Sequence, residues 1–193
     1  MYRKAITVSL AVVAVVTAAA CGGDDAPTAG SATPVTAPAG AIDPASIIDP
    51  GAISGTINFV GATPEGQLLQ MAADPYCLTA HVGAEVVAQR LVVNDNGTLR
   101  YVFVYIKEGL AQTFIPSGSS IELSQEGCMY APHMLGVQTN QAISIVNNDD
   151  TLHNINGQPT GAGNNPFNFA QPIKGMSTEV TFTSAEFIPV KCD

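Results

Sequence analysis

Cysteine and histidine supply the side chains of this sequence that are best suited to chemistry. Thiolate and imidazole are the ligands that zinc and copper prefer, and thiols outside the cytoplasm commonly pair as disulfides. The chain therefore offers metal binding and thiol oxidation, and the surroundings of each residue must decide between them. The candidates are four cysteines and three histidines: Cys21, Cys77, Cys128, Cys192, His81, His133 and His153.

The first cysteine follows a segment typical of exported proteins. Two cationic residues, Arg3 and Lys4, lie near the start of the chain, residues 5–20 are almost entirely apolar, and three alanines precede Cys21. This pattern defines a secretory signal, so we predict a signal peptide at 1–21 with a lipobox-like end and lipidation of Cys21. The mature chain would then be periplasmic or at the cell surface, held to the membrane by lipid. Cleavage after Ala20 without lipid and an uncut membrane anchor are the alternatives.

Three thiols remain after Cys21, and three thiols cannot all pair within one chain. Cys77 and Cys128 both lie in loop-like sequence, and we predict a disulfide between them. That bond would close a loop of about fifty residues and contribute about 3–4 kcal/mol in the chain-entropy account. The alternative is a zinc-type site, because Cys77 precedes His81 by four positions and Cys128 precedes His133 by five.

Cys192 is then left with His153 as its natural companion. Around both residues the chain resembles the cupredoxin family, and is most similar to exported, plastocyanin-like blue copper proteins. In that family the first copper histidine follows a strand ending in Asn-x-Asp and precedes Asn and a β-branched residue, as in 153–155. The copper cysteine closes a late strand, as in 191–193.

The resemblance implies a type 1 copper ion with His153 and Cys192 as ligands, and one-electron transfer to a redox protein partner. Such a site needs two imidazoles, one thiolate and a weak axial thioether. The family places the second His and the Met soon after the cysteine, so we expect both beyond Asp193 and a chain incomplete at its end. We expect Asn154 to hydrogen-bond near the thiolate; a plain turn role is the alternative.

Other donors and other functions stay open. Met176 or Met134 could supply the thioether and His133 the second imidazole, whereas both methionines could simply pack. A copper-delivery protein and a metal-free β-sandwich used for structure or binding are the alternatives to electron transfer. Seven Lys and Arg against sixteen Asp and Glu exclude a nucleic-acid partner. We predict no enzyme, because no Gly-x-Ser-x-Gly elbow, phosphate loop or His-Glu-x-x-His helix occurs.

Short strands would have to position these residues. The chain divides into the signal peptide, a flexible tether at 22–50 rich in Pro, Ala, Gly and Thr, and one domain at 51–193. Short β-rich stretches separated by Gly, Pro and Asn predict an all-β sandwich or barrel, and the resemblance makes it a cupredoxin-like Greek-key sandwich. The only helix predicted lies near 64–73. The strands are predicted near 52–60, 86–93, 99–106, 121–123, 142–146, 177–182 and 187–190.

Overall fold

The computed structural model describes residues 37–192, and most of its regular structure is β. The predicted all-β class is confirmed. Regular helix in this part of the chain is limited to one short α-helix, α1 at Pro75–Ala80, and the 3-10 turns Pro44–Ser46 and Met71–Ala73. The strands are β1 Ile121–Glu126, β2 Met129–Ala131, β3 Ile143–Asn147, β4 His153–Gly157, β5 Phe167–Gln171, β6 Ser177–Val180 and β7 Val190–Lys191.

Two sheets arrange these strands. One sheet has the order β2-β1-β3-β6 and the other has the order β5-β4-β7. Strand β4 lies in the middle of the smaller sheet, where His153 faces Gln171 of β5 and Asn156 faces Lys191 of β7. Because β4 and β7 are antiparallel, Cys192, which follows Lys191, falls beside the first half of β4.

The apolar core joins both sheets. Leu123, Ile143, Ile145 and Ile155 are buried, and they form one cluster. In β3 the buried residues alternate with partly exposed ones, as expected for a strand with one face on the core. Full burial of one such side chain contributes about 1.5–3 kcal/mol.

Polar side chains extend this core and cross-link the sheets. Gln171 is fully buried; its Nε2 donates to the Ile145 carbonyl at 2.8 Å and its Oε1 accepts from Gln125 Nε2 at 2.6 Å. Asn147, also fully buried, donates through Nδ2 to the carbonyls of Gln171 and Thr151, both at 2.8 Å. Buried polar groups are stable only when they are hydrogen-bonded, so these contacts fix the position of β3 relative to β5 in the other sheet.

The first half of the domain differs from the prediction. Strands predicted at 52–60, 86–93 and 99–106 are present only as single bridges, such as Asn58–Thr98 and Val93–Leu99. A turn separates the last two of these stretches, where the Gly97 N–H donates to the Asn94 carbonyl at 2.8 Å. An alternating apolar and polar sequence forms a strand only where a neighbouring segment covers its apolar face. The apolar side chains of residues 102–106 are exposed.

The helix was predicted too early in the chain. Near 64–73 the structure has only a 3-10 turn, and α1 starts after it at Pro75. The carboxylate of Asp74 caps α1 by accepting from the Tyr76 and Cys77 N–H groups at 2.7 and 3.2 Å. An Asp cap followed by Pro is a strong helix start, whereas we interpreted this run as a turn.

The signal peptide at 1–21, the lipidation site Cys21 and the tether up to residue 36 lie outside the described residues. Within the rest of the predicted tether, Ile42 forms a parallel bridge with Phe114, so this part contacts the domain. Among residues 37–192, none of the helices has the length and apolar character needed to cross a membrane.

Candidate metal centre

A tight turn after β3 places His153. The Asp149 N–H donates to the Asn147 side-chain oxygen at 2.8 Å, which bends the chain directly after the strand. The Asn147 amide then holds the Thr151 carbonyl from the other side of the turn. As a result β4 begins at His153, and this residue is only 5% exposed.

The predicted disulfide is confirmed. Cys77 and Cys128 are bonded with an S–S distance of 2.01 Å, which ties α1 to the turn between β1 and β2. Both sulfurs are therefore used, and the alternative zinc-type site does not form. Its two histidines have other partners: His81 Nε2 lies 2.6 Å from the Gly127 carbonyl oxygen, and the His133 ring packs against Tyr101.

A buried carboxylate lies between the disulfide and His153. Asp149 is 1% exposed, and its Oδ2 lies 2.8 Å from His153 Nε2. Oδ2 also accepts from the Cys128 N–H at 2.7 Å, while Oδ1 accepts from the Gly127 N–H at 2.8 Å and the Tyr76 hydroxyl at 3.1 Å. Four donors surround this carboxylate, two on each oxygen.

These contacts shift the pKa of both partners. Burial would raise the pKa of Asp149, but the Cys128 N–H, the His153 ring and the other donors outweigh it and lower this pKa from 3.8. The pKa of His153 is raised above 6.5: the contact with Cys192 is the largest cause, burial opposes it, and Asp149 adds to it. The ring therefore lies between two groups that attract positive charge.

The other ring nitrogen faces the last cysteine. His153 Nδ1 and Cys192 Sγ are 3.9 Å apart, although the two residues are 39 positions apart in the chain. The Asn154 backbone N–H donates to the same sulfur at 3.4 Å. The structure thus brings together the three residues that the resemblance singled out, with Asn154 contacting the sulfur through its backbone.

The remaining residues considered as donors lie in different settings. Met134 is 44% exposed, and Met176 precedes β6, where its carbonyl accepts from the Asn147 N–H at 2.9 Å. Among the described residues, the only group of three or more acidic, Cys or His ligand atoms within 4.8 Å of one another is Cys128, Asp149 and His153. Because the sulfur of Cys128 is in the disulfide, this group offers no thiolate.

Sequence reasoning did not find Asp149 or Tyr76. Asp149 and Asp150 lie in the turn before His153, and the structure buries the first and exposes the second. The sequence signal that could have identified the buried acid is Asn147, which ends β3. An Asx turn after this residue determines which of the two acids points inward. The side chain of Asn154 adds one unusual feature: its Oδ1 is buried and has no hydrogen-bond partner among the described residues.

Comparisons of the chain with protein-family models, with curated proteins and with solved structures gave no match.

Proposed function

We propose that this chain is an exported copper-binding electron-transfer protein with a type 1 site in a cupredoxin-like Greek-key sandwich, and that His153 and Cys192 are two of the copper ligands. The observation that carries the proposal is the 3.9 Å separation of His153 Nδ1 and Cys192 Sγ. An imidazole nitrogen and a thiolate sulfur are the donors that blue copper requires.

The separation fits a shared metal ion. Metal bonds of about 2.0–2.1 Å to an imidazole nitrogen and about 2.3 Å to a thiolate sulfur, at a trigonal angle, put the two ligand atoms about 3.8 Å apart. The observed 3.9 Å therefore requires almost no rearrangement of the chain. The spacing of these two donors supports the copper site that the resemblance implies.

The sulfur of Cys192 accepts a hydrogen bond from the neighbouring strand β4. The Asn154 N–H donates to it, and hydrogen bonds to a ligating sulfur set its charge and thereby the redox potential of the metal. Copper, when bound, would supply the one-electron chemistry. The chain holds His153 on β4 and Cys192 directly after the adjacent strand β7.

A type 1 copper site needs two ligands besides His153 and Cys192. These are a second imidazole and an axial thioether. A net charge of -9 suits a basic redox partner that docks by charge, and a lipid on Cys21 would keep the protein at the membrane.

Copper loading of the protein translated from its whole reading frame tests this function. We expect a strong visible copper–thiolate absorption that a mild reductant bleaches. Cys192→Ser and His153→Ala should abolish it, while His133→Ala, which alters a histidine packed on Tyr101, should keep it. Tight Cu(I) binding without colour would instead indicate copper delivery. A folded protein that takes up no copper would overturn the proposal in favour of a metal-free sandwich.

A further inference from the structure

We propose that Asp149 is a positioning residue that keeps the proton of His153 on Nε2 and aims the Nδ1 lone pair at the metal position beside Cys192. This inference rests on the proposed function, since it concerns the same imidazole. It gives a role to Asp149, which is not one of the expected ligands, and it gives the disulfide-linked turn a role in the site.

The hydrogen-bond geometry determines the tautomer. An ionised carboxylate has no proton to donate, so the 2.8 Å contact between Asp149 Oδ2 and His153 Nε2 requires the hydrogen to be on Nε2. A neutral imidazole carries only one N–H, which leaves a lone pair on Nδ1. Nδ1 is the nitrogen that faces Cys192 Sγ, so the metal-binding form of the ring is already selected.

The carboxylate itself is fixed from three sides. Besides His153, it accepts from the backbone N–H groups of Gly127 and Cys128 and from the hydroxyl of Tyr76. Gly127 and Cys128 form the β1–β2 turn, which the disulfide to Cys77 links to the helix that also carries Tyr76. Rotation of the Asp149 side chain would break bonds to both segments at once.

The site requires a carboxylate at position 149, and an amide would not replace it. The Gly127 and Cys128 N–H groups point at different oxygens of Asp149, and an amide offers only one oxygen. In either orientation of an asparagine, its NH₂ would therefore face a backbone N–H. In the orientation that turns the NH₂ toward His153, Nε2 would become an acceptor and the ring proton would move to Nδ1, where it blocks the metal.

The first test measures the ring tautomer without any metal. Nitrogen NMR of isotopically labelled histidine would be recorded on the metal-free Cys192→Ala variant at a pH where the ring is neutral. That variant removes the sulfur that could compete for the ring proton. We expect the Nε2–H tautomer for His153, and observation of the Nδ1–H tautomer would overturn the inference. This readout stands even if variants at Asp149 do not fold.

The second test measures metal binding with a matched pair of variants. In competition titrations with Cu(II), Asp149→Asn should weaken binding by about 10- to 100-fold, the usual cost of losing an outer partner of a ligating histidine. Asp150→Asn removes the exposed neighbouring charge and should leave the affinity unchanged. Equal affinities for Asp149→Asn and the parent protein would refute a positioning role.

The two proposals fail in different ways. If the protein binds blue copper but His153 carries its proton on Nδ1 in the metal-free state, the inference about Asp149 is refuted and the proposed function is not. A protein with the Nε2–H tautomer that takes up no copper would sink the proposed function, and with it the metal-directed role of Asp149.

Discussion

Asn147 is the residue whose loss should damage both the core and the turn that presents His153. Its side chain is fully buried and makes three hydrogen bonds: to the Thr151 carbonyl, to the Gln171 carbonyl and from the Asp149 N–H, each at 2.8 Å. Asn147→Ala deletes all three at once. Two carbonyl oxygens and one N–H then lose their partner in the interior.

The cost follows from these groups. A buried polar group left without a partner costs about 1–3 kcal/mol, and water entering the space left by the side chain can satisfy part of the loss. We therefore expect Asn147→Ala to lower the free energy of unfolding by about 3–5 kcal/mol. Because a whole domain is stable by only about 5–15 kcal/mol, this is a large fraction of the total.

Urea or guanidinium denaturation of the metal-free protein measures this loss. The matched control is Asn148→Ala, which removes a single side-chain bond to the Ser124 hydroxyl and should cost only about 1 kcal/mol. If the free energy of unfolding of Asn147→Ala were within 1 kcal/mol of that of the parent protein, the claim that the buried polar side chains fix β3 against β5 would be refuted.

Three further perturbations test other parts of the structure. Replacing Cys77 and Cys128 together by Ser opens a link that spans 51 positions and should cost about 4 kcal/mol, measured by denaturation against a reduced and an oxidised parent sample. Ile155→Ala empties a fully buried position and should cost about 2–5 kcal/mol by the same assay, and a cost below 1 kcal/mol would argue against its place in the core. The N–H of Gly161 first, and the Asn164 amide, lower the pKa of Glu186 below 4.5, so its stabilising effect is present above this value and is lost as the pH falls through the folded pKa. Melting temperatures of Glu186→Gln should therefore fall less steeply than those of the parent protein in that acid range, and parallel curves would contradict the assignment.

The sequence predicted the fold class and the disulfide for reasons that are local. Cys77 and Cys128 both lie in loop-like sequence, and the remaining thiol, Cys192, matched a late strand of the cupredoxin pattern. Strand β3 was predicted because its isoleucines alternate along one face of the core. In each case a short window of residues carried the whole signal.

The parts that were not predicted depend on contacts between distant segments. Strand β4 contains two asparagines and β5 contains one, although strands disfavour this residue, and pairing with neighbouring strands defines both. The opposite error occurred at residues 99–106, where alternation was clear and the covering neighbour is missing from the described part of the chain. The local residue pattern favours a strand, and a neighbouring segment that pairs with it determines whether the strand forms.

Asp149 shows the same limit at the scale of one side chain. Nothing in a run of two aspartates distinguishes the buried acid from the exposed one, because the choice depends on the Asx turn that Asn147 starts. The donors that surround Asp149 come from α1 and from the β1–β2 turn, more than twenty positions earlier in the chain. A motif restricted to the neighbourhood of His153 could not include them.

The contacts on the two sides of the His153 ring therefore differ in how firmly the structure holds them. The Nε2 side is held by the buried Asp149, which three other donors and the nearby disulfide fix in place, and by the turn that the buried Asn147 starts. The Nδ1 side depends on Cys192, which follows a two-residue strand and is exposed. Since a metal bonded to both residues would tie the weaker side to the stronger one, binding free energy would appear partly as order at the end of β7. In the proposed copper site, the chain would present a preset imidazole to which Cys192 adds a thiolate.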